Sequence, residues 1–344
     1  MKKPTLCVIF GGKSSEYEVS LRSAYGVITH IDSEKYDLVR LGITRLGQWY
    51  IFEGENGEIL RDRWQRGRVT PVTLDLSSGS LIIFDKDVYA VEVDLFLPIL
   101  HGELCEDGRI QGLLDVAGVK YVGCGAFASH LCMDKILAKE RAQELGIRVA
   151  EQVVVNAKFE MQNAKLGEVA RLGFPVFVKP AMCGSSVGVS RVEGALGLQG
   201  AIDEALKYGE RALIEKEIDG IEVEIGVLEE ESGLLLSDIG TVKHKGVFYD
   251  YHTKYDEENE YLIPAPLCPS AATLIRSYAR SLFFALGCRG LARFDFFVTA
   301  TGDVVFNEVN TMPGFTEKSM FPMMFKGVGL DYGDVVETMI KNVL

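Results

Sequence analysis

Residues 291–319 read LARFDFFVTATGDVVFNEVNTMPGFTEKS. LARFDFFV and VVFNEVN are rich in aromatic and β-branched residues, the composition of strands, and Thr301-Gly302 between them suits a tight turn. With those two residues at the tip, Asp295 lies opposite Glu308 and Arg293 opposite Asn310. All four share one face, because strand side chains alternate with period two. A three-residue bulged turn would shift this register. Like charges directly opposite repel, and a bound cation converts that repulsion into attraction. Two carboxylates and an amide oxygen are hard ligands of the kind Mg2+ takes. A solvated acidic strand face is the alternative, and the hairpin alone barely separates the two.

The rest of the chain sets the context. At 344 residues it is long for one core and predicts two or three domains. Its apolar fraction of 47% and charged fraction of 25% are those of a globular protein. A net charge of -13 argues against a general nucleic-acid or anionic-membrane surface, while leaving room for a local basic pocket. No apolar run approaches the roughly 20 residues that span a bilayer. MKKPTLCVIFGG carries too short an apolar run for a signal peptide and reads as a first strand. The seven cysteines (7, 105, 124, 132, 183, 268, 288) are odd in number and form no C-x-x-C pair. That indicates neither a disulfide framework nor a zinc site, and fits reduced thiols in a cytoplasm.

Residues 4–10 form an apolar strand ending at Gly11-Gly12, with Ser14 and Ser15 as N-caps for a helix over EVSLRSAYGVITHI. Strand, glycine turn and helix N-terminus together suit an anion or polar ligand. Neither a P-loop nor the G-x-G-x-x-G fingerprint is complete there. YDLVRLGI and QWYIF read as strands, and 53–80 as loops with an edge hairpin. VDLFLPIL is a buried strand ending at His101-Gly102, and RIQGLLDVAG a helix. The alternation predicts a parallel α/β domain with ligands at the strand C-termini, where Glu16 and His101 fall. His101 reads equally as a satisfied loop histidine.

From Ala126 the pattern changes. MDKILAKERAQELG is an amphipathic helix carrying Lys135, and FPVFVKP a strand ending in Lys179. AMCGSSVGVSRV then offers small residues, free amides and two hydroxyls, as a phosphate cradle requires, with Lys179 beside it. RALIEKEIDGIEVEIGVL gives two strands around Asp219-Gly220, whose Glu215, Lys216, Glu217 and Glu222 read most simply as a solvated face. Residues 240–266 combine tyrosines and charges with little periodicity, suiting a lid or a long surface loop. ATLIRSYARSLFFALG is a helix, and a last helix lies near Gly329–Val343.

GGKSSEYEVS, LHGELCEDGRIQG, CMDK, FVKPAMCGSSVGVS, LIEKEIDGIE, FYDYHTKY, ARFDFF and NEVNTMPGFTEKS, in this order, resemble the D-alanine–D-alanine ligase family of ATP-grasp enzymes over nearly the whole chain. The resemblance implies an α/β chain in a three-domain ATP-grasp fold. Residues 1–125 would form an N-terminal α/β domain. Residues 126–222 and 223–344 would clasp ATP, the latter bearing the lid. It implies a cytoplasmic, commonly homodimeric enzyme that ligates two D-alanines through an acyl phosphate for peptidoglycan precursors, using ATP and two Mg2+ ions or Mn2+. No nucleic acid or membrane would be a partner.

Residue by residue, the resemblance assigns Lys135, Lys179 and Lys216 to phosphates or adenine, and Glu215, Ile218 and Glu222 to the adenine and ribose pocket. Cys183, Gly184, Ser185, Ser186 and Val187 would close over the phosphates, with Phe248 and Lys254 reaching in from the lid and Asn307 beside the nucleotide. Asp295, Glu308 and Asn310 would hold the metals. Glu16 would take the first ammonium, with Ser185 and Tyr255 hydrogen-bonded to it. Arg293 and the Gly314 N–H would face the reacting carboxylate. Ser319 and Met320 would surround the second substrate, with Val19, His101 and Tyr249 nearby.

Related ligases use D-lactate or D-serine second. Lys254-Tyr255 resembles the dipeptide-forming class. HGELCEDG and CMDK resemble the D-serine enzymes, which typically carry Phe and Arg where this chain has Tyr249 and Met320. That leaves D-alanine favoured and D-serine as the alternative. Glu317-Lys318 departs from the family's small or histidine residues. Cys183 occupies an often polar position, as a tolerated small residue or as an acidic, alkylatable thiol.

Overall fold

The computed structural model describes residues 2–156, 163–243 and 260–344. Phe248, Tyr249, Lys254 and Tyr255 lie outside the described residues. Three sheets build the chain. The first contains β1 (Thr5–Gly11), β2 (Asp37–Ile43), β3 (Trp49–Glu53), β4 (Arg68–Leu74), β5 (Leu81–Phe84), β6 (Val88–Val91) and β7 (Leu95–Pro98). Its order is β6-β5-β4-β3-β2-β1-β7. Only β2, β1 and β7 run parallel, and β3 to β6 extend the sheet as an antiparallel meander. This corrects the reading of 53–80 as loops with an edge hairpin. That span holds a short helix, Asn56–Leu60, and β4, which is an interior strand paired to both β3 and β5 and most of whose side chains are only partly buried or exposed.

β1 is buried at every position, as a central parallel strand covered on both faces must be. It ends at Gly11, where φ is +87° and a Cβ would lie 2.2 Å from the Ile43 carbonyl oxygen. The chain turns there into the Tyr17–His30 helix. Ser14 does not cap that helix at its first turn. Its hydroxyl donates to the His101 carbonyl (2.7 Å) and accepts from the Glu16 N–H (3.0 Å), joining the ends of β1 and β7.

The second sheet, β10-β9-β11-β8, uses β8 (Gln152–Asn156), β9 (Val176–Pro180), β10 (Ser190–Val192) and β11 (Arg211–Lys216), all antiparallel. The third, β14-β13-β12-β15-β16, uses β12 (Gly220–Glu230), β13 (Gly233–Lys243), β14 (Glu260–Leu262), β15 (Leu291–Thr299) and β16 (Val304–Asn310). The third sheet thus starts at Gly220, slightly before residue 223. Helices Ala126–Met133, Lys135–Glu144 and Pro269–Ala285 cover its outer face. The expected MDK helix forms from Lys135, and a separate helix, Ala126–Met133, ends just before it, with Asp134 between them.

The opening hairpin keeps its register by two departures that cancel. The turn is not the two-residue Thr301-Gly302. Thr299 N–H donates to the Asp303 carbonyl and Gly302 N–H to the Thr299 carbonyl, with Gly302 left-handed at φ +84°. That three-residue turn pairs Val298 with Val304 and Phe296 with Phe306, one step out of the two-residue register. A bulge then inserts Asn307, and the ladder resumes with Asp295 opposite Glu308 and Arg293 opposite Asn310. The other face of β15 buries Phe294 and Phe296 completely. Each contributes about 1.5–3 kcal/mol through burial, so a one-residue slip of β15 is strongly opposed.

Among the described residues, no helix is long and apolar enough to cross a membrane. The N-terminal sheet shares a core with the chain's end. Phe315, Phe321 and Val335 pack with Phe10, Val27 and Leu97.

Candidate active site

A cavity of about 450 Å³ lies between the second and third sheets. Lys179 at the end of β9 and Glu215 on β11 line one wall. Glu222, Phe297, Asn307 and Glu308 line the other, and Phe177, Ile218 and Ile221 add apolar surface. Cations cluster on the first wall. Asp134 starts the Lys135–Glu144 helix by accepting the Ile136 and Leu137 N–H groups (3.1 and 3.3 Å), and Arg211 pairs with its other oxygen. That cap fixes where Lys135 begins the helix and puts Lys139 one turn on along the same face. Lys135 Nζ reaches the Cys183 carbonyl oxygen (2.7 Å) and Glu308 Oε2 (3.1 Å).

Glu215, read from sequence as part of a solvated face, is buried between two lysines. Lys139 Nζ is 2.5 Å from its Oε1, and Lys179 pairs with its Oε2. Burial pushes the Glu215 carboxyl up, but the two ammonium groups outweigh it and hold it at about 2. Burial pushes Lys139 down to about 8 against the pull of Glu215. Lys179 is opposed by burial but held charged by Glu215 and Glu308. Lys139 was not singled out in the sequence. On an amphipathic helix a lysine reads as solvated, and only its spacing of four from Lys135 pointed inward.

The loop after β9 folds against this wall. Cys183, Gly184, Ser185 and Ser186 line the cavity, and Val187 closes a turn by donating its N–H to the Gly184 carbonyl (3.1 Å). Ser185 and Ser186 both have positive φ, +49° and +56°. Two successive left-handed non-glycine residues cost roughly 1–2 kcal/mol each, a constraint typical of a working loop. The Ser185 hydroxyl donates to Glu16 Oε1, joining the loop to the N-terminal domain. The Cys183 thiol is not acidic. Burial pushes it up, and Lys135 only partly opposes that.

The second side is acidic, with Glu222 and Glu308 in the wall and a further group of charges beside them on the same sheet. Arg293 Nε and Nη2 donate to Asp295 Oδ1 and Oδ2 (2.8 and 2.7 Å), and Nε also lies 3.0 Å from Glu224 Oε2. Asn310 Nδ2 donates to Asp295 Oδ2 (3.0 Å). The bulge turns Asn307 into the cavity as well, where Nδ2 donates to Glu222 Oε1 (3.1 Å) and Oδ1 accepts from Lys179 (3.5 Å). Asp295, Glu308 and Asn310 lie side by side on one face of the β15–β16 pair, and their carboxylate and amide oxygens are hard donors of the kind that fits Mg2+.

Other candidates sit differently. Lys216 lines the cavity but is half exposed and nearest Glu151 (3.9 Å). Val19 is buried in the first helix. His101 is the satisfied loop histidine of its two readings, for its ring nitrogens meet the Met312 carbonyl oxygen (3.1 Å) and Ser23 Oγ (2.9 Å). Met320 packs on β13, where a Cβ on Gly240 would fall 2.5 Å from its sulfur. Ser319 Oγ accepts from the Thr316 N–H (3.0 Å), and Gly314 stands beside it. Glu106, not singled out in the sequence, is buried near Glu16. Burial first, then the charge of Glu16, pushes its carboxyl up to about 8.

Comparison with known proteins adds a family. The family model described as D-ala D-ala ligase N-terminus matches residues 5–124, and that described as D-ala D-ala ligase C-terminus matches residues 142–341. A D-alanine--D-alanine ligase of Thermoanaerobacter sp. (strain X514) is 39% identical over 348 residues, covering 99% of this chain and 96% of the relative. The Nocardia farcinica D-alanine--D-alanine ligase is 41% identical over 353 residues, covering 98% and 96%. Among solved structures, the VanG D-Ala:D-Ser ligase from Enterococcus faecalis superposes with a TM-score of 0.90 at 36% identity, covering 99% of both chains. The D-alanine-D-alanine ligase from Coxiella burnetii gives 0.85 at 28% identity, covering 99% of this chain and 94% of that one.

Proposed function

The chain belongs to the D-alanine–D-alanine ligase family, and from that premise we propose how its residues join two D-alanines. It is an ATP-dependent ligase with the ATP-grasp fold. A carboxylate resists attack by an amine because oxide is a poor leaving group. Phosphorylation by ATP makes the oxygen a good one, and the second amino acid's amine then displaces phosphate to form the peptide.

Lys135 and Lys179, with the amides of 183–187, receive the phosphates, while Glu215, Lys216, Ile218 and Glu222 surround the base and sugar. Glu16 accepts the first ammonium, and Ser185 ties the phosphate loop to it. Arg293 and the Gly314 N–H donate to the oxygen that becomes an oxyanion, a role worth about 3–4 kcal/mol per donor. Ser319 and Met320 border the second amino acid. Asp295, Glu308 and Asn310 would hold two Mg2+, or Mn2+, whose charge when bound offsets repulsion between carboxylate and triphosphate. In our reading the chain divides near residues 125 and 222. It works in the cytoplasm, commonly as a homodimer, on peptidoglycan precursors, with no nucleic acid or membrane as partner.

The observation that carries this reading is the cavity with buried lysines on one wall and Glu308 on the other, where Glu308 stands in register with Asp295 and Asn310 with Arg293 on the same hairpin. The likeness to a D-Ala:D-Ser ligase keeps D-serine as the second reading. Met320 favours D-alanine, since its apolar side chain offers a hydroxyl no partner. With ATP, Mg2+ and equimolar D-alanine and D-serine, the dipeptide product is expected to be mainly D-alanyl-D-alanine. Equal incorporation of D-serine would overturn the choice.

A further inference from the structure

Gly314 lies in a segment with few bonds of its own, between β16 and the Met320–Lys326 helix. Three residues remote in sequence grip it on both sides. His101 Nδ1 meets the Met312 carbonyl oxygen (3.1 Å), and the Phe315 N–H donates to Ser23 Oγ (3.2 Å). The Tyr332 hydroxyl donates to the Phe315 carbonyl oxygen (2.7 Å). His101 Nε2 lies 2.9 Å from Ser23 Oγ, which closes the set.

The protons can be assigned. A carbonyl oxygen only accepts, so Nδ1 carries the ring proton. Burial pushes His101 down, against the charge of Glu16 and the Met312 bond, which favours the neutral ring, in which Nε2 is an acceptor. Ser23 therefore donates to Nε2 and accepts from Phe315. The chain of donors runs Phe315 N–H, Ser23, His101, Met312 carbonyl, in one direction and with each group used. Ser23 and Phe315 are fully buried and His101 nearly so, a setting where an unmade bond is expensive.

Gly26 completes the arrangement. It stands inside the Tyr17–His30 helix, where glycine costs about 1 kcal/mol against alanine. A Cβ there would lie 2.7 Å from the Tyr332 hydroxyl oxygen. The missing side chain is what admits Tyr332 to the Phe315 carbonyl.

We propose that Ser23, His101 and Tyr332 are positioning residues that fix the Gly314 N–H against the reacting centre. They make the N-terminal domain and the last helix part of the acyl-transfer geometry. This rests on the reading of Gly314 as an oxyanion donor. None of the three needs to touch a substrate. They act by pinning residues 312 and 315, on either side of the donor.

The test uses the full chain with Mg2+, ATP and D-alanine, and the variants Ser23→Ala, His101→Gln, His101→Asn and Tyr332→Phe. An asparagine amide can stand in for Nδ1–H, and a glutamine amide cannot. Ser23→Ala, His101→Gln and Tyr332→Phe are expected to lower kcat about ten- to a hundredfold, since small misplacements are costly in catalysis. Their KM for ATP stays close to the parent value, and His101→Asn restores most of kcat. Amide exchange over 311–319 quickens in the three impaired variants. Unchanged exchange in Tyr332→Phe, the mildest substitution, overturns the clamp itself. Quickened exchange with undiminished kcat leaves the clamp but removes its catalytic consequence, and with it the role of Gly314.

Discussion

The two sides of the cavity, one in its wall and one in the sheet that bounds it, carry the same device with opposite excess charge. On one side, Lys139 of the Lys135–Glu144 helix and Lys179 of β9 share one carboxylate, Glu215 on β11. On β12 and β15, two carboxylates, Asp295 and Glu224, share one guanidinium, Arg293. A buried ion pair is a poor source of stability, because desolvation consumes much of its attraction. A buried triad with one charge in excess needs a function more than a pair does. The cationic wall is suited to phosphate and the anionic wall to a metal cation, and a nucleotide carrying Mg2+ offers both.

The largest change should come from reducing the anionic excess. Asp295→Asn removes a metal donor and the main partner of Arg293. It is expected to lower phosphate release by about 100-fold or more, at several kcal/mol for lost metal stabilisation. Part of the loss should return as Mg2+ is raised. If the residual activity ignores Mg2+ concentration, the carboxylate is not a ligand. Reducing the cationic excess should act on binding instead. Lys179→Ala is expected to weaken ATP binding by about ten- to a hundredfold, the range of a charge-assisted bond. Calorimetry reads this directly, and unaltered ATP affinity would separate Lys179 from the phosphates.

The smallest effect is on stability. The Glu215 carboxyl is held at about 2, below its ordinary value of 4.5, by Lys139 and Lys179 acting against burial. A depressed carboxyl contributes stability above 4.5 that is lost as pH falls toward 2. Glu215→Gln should therefore be less stable at pH 7 and lose less on acidification through that window. Urea midpoints across the range give both numbers, and parallel acid profiles for the two proteins would refute the assignment.

The two walls also differ in how far sequence reveals them. The face shared by Arg293, Asp295, Glu308 and Asn310 follows from strand periodicity. The compensating pair of irregularities did not, because a three-residue turn and a bulge at Asn307 leave the alternation at both ends unaltered. On the cationic wall, Lys179 stood out at a strand end beside a Gly/Ser loop. Lys139 and Glu215 looked solvated, since only the packing of the helix against the sheet shows that they face each other. His101 and Ser23 meet across 78 residues, a contact no local pattern announces. The meander through β6 was illegible for a simpler reason. β5 and β6 have four residues each and β6 is exposed, so little period shows in them.

Arg293→Ala tests the central claim most directly, measured for ATP affinity and D-alanine-dependent phosphate release on the same preparation. The account predicts ATP affinity within about threefold of the parent and turnover lower by about 100- to 1,000-fold, the loss of one oxyanion donor. Near-normal turnover, or a loss confined to ATP binding, would contradict it.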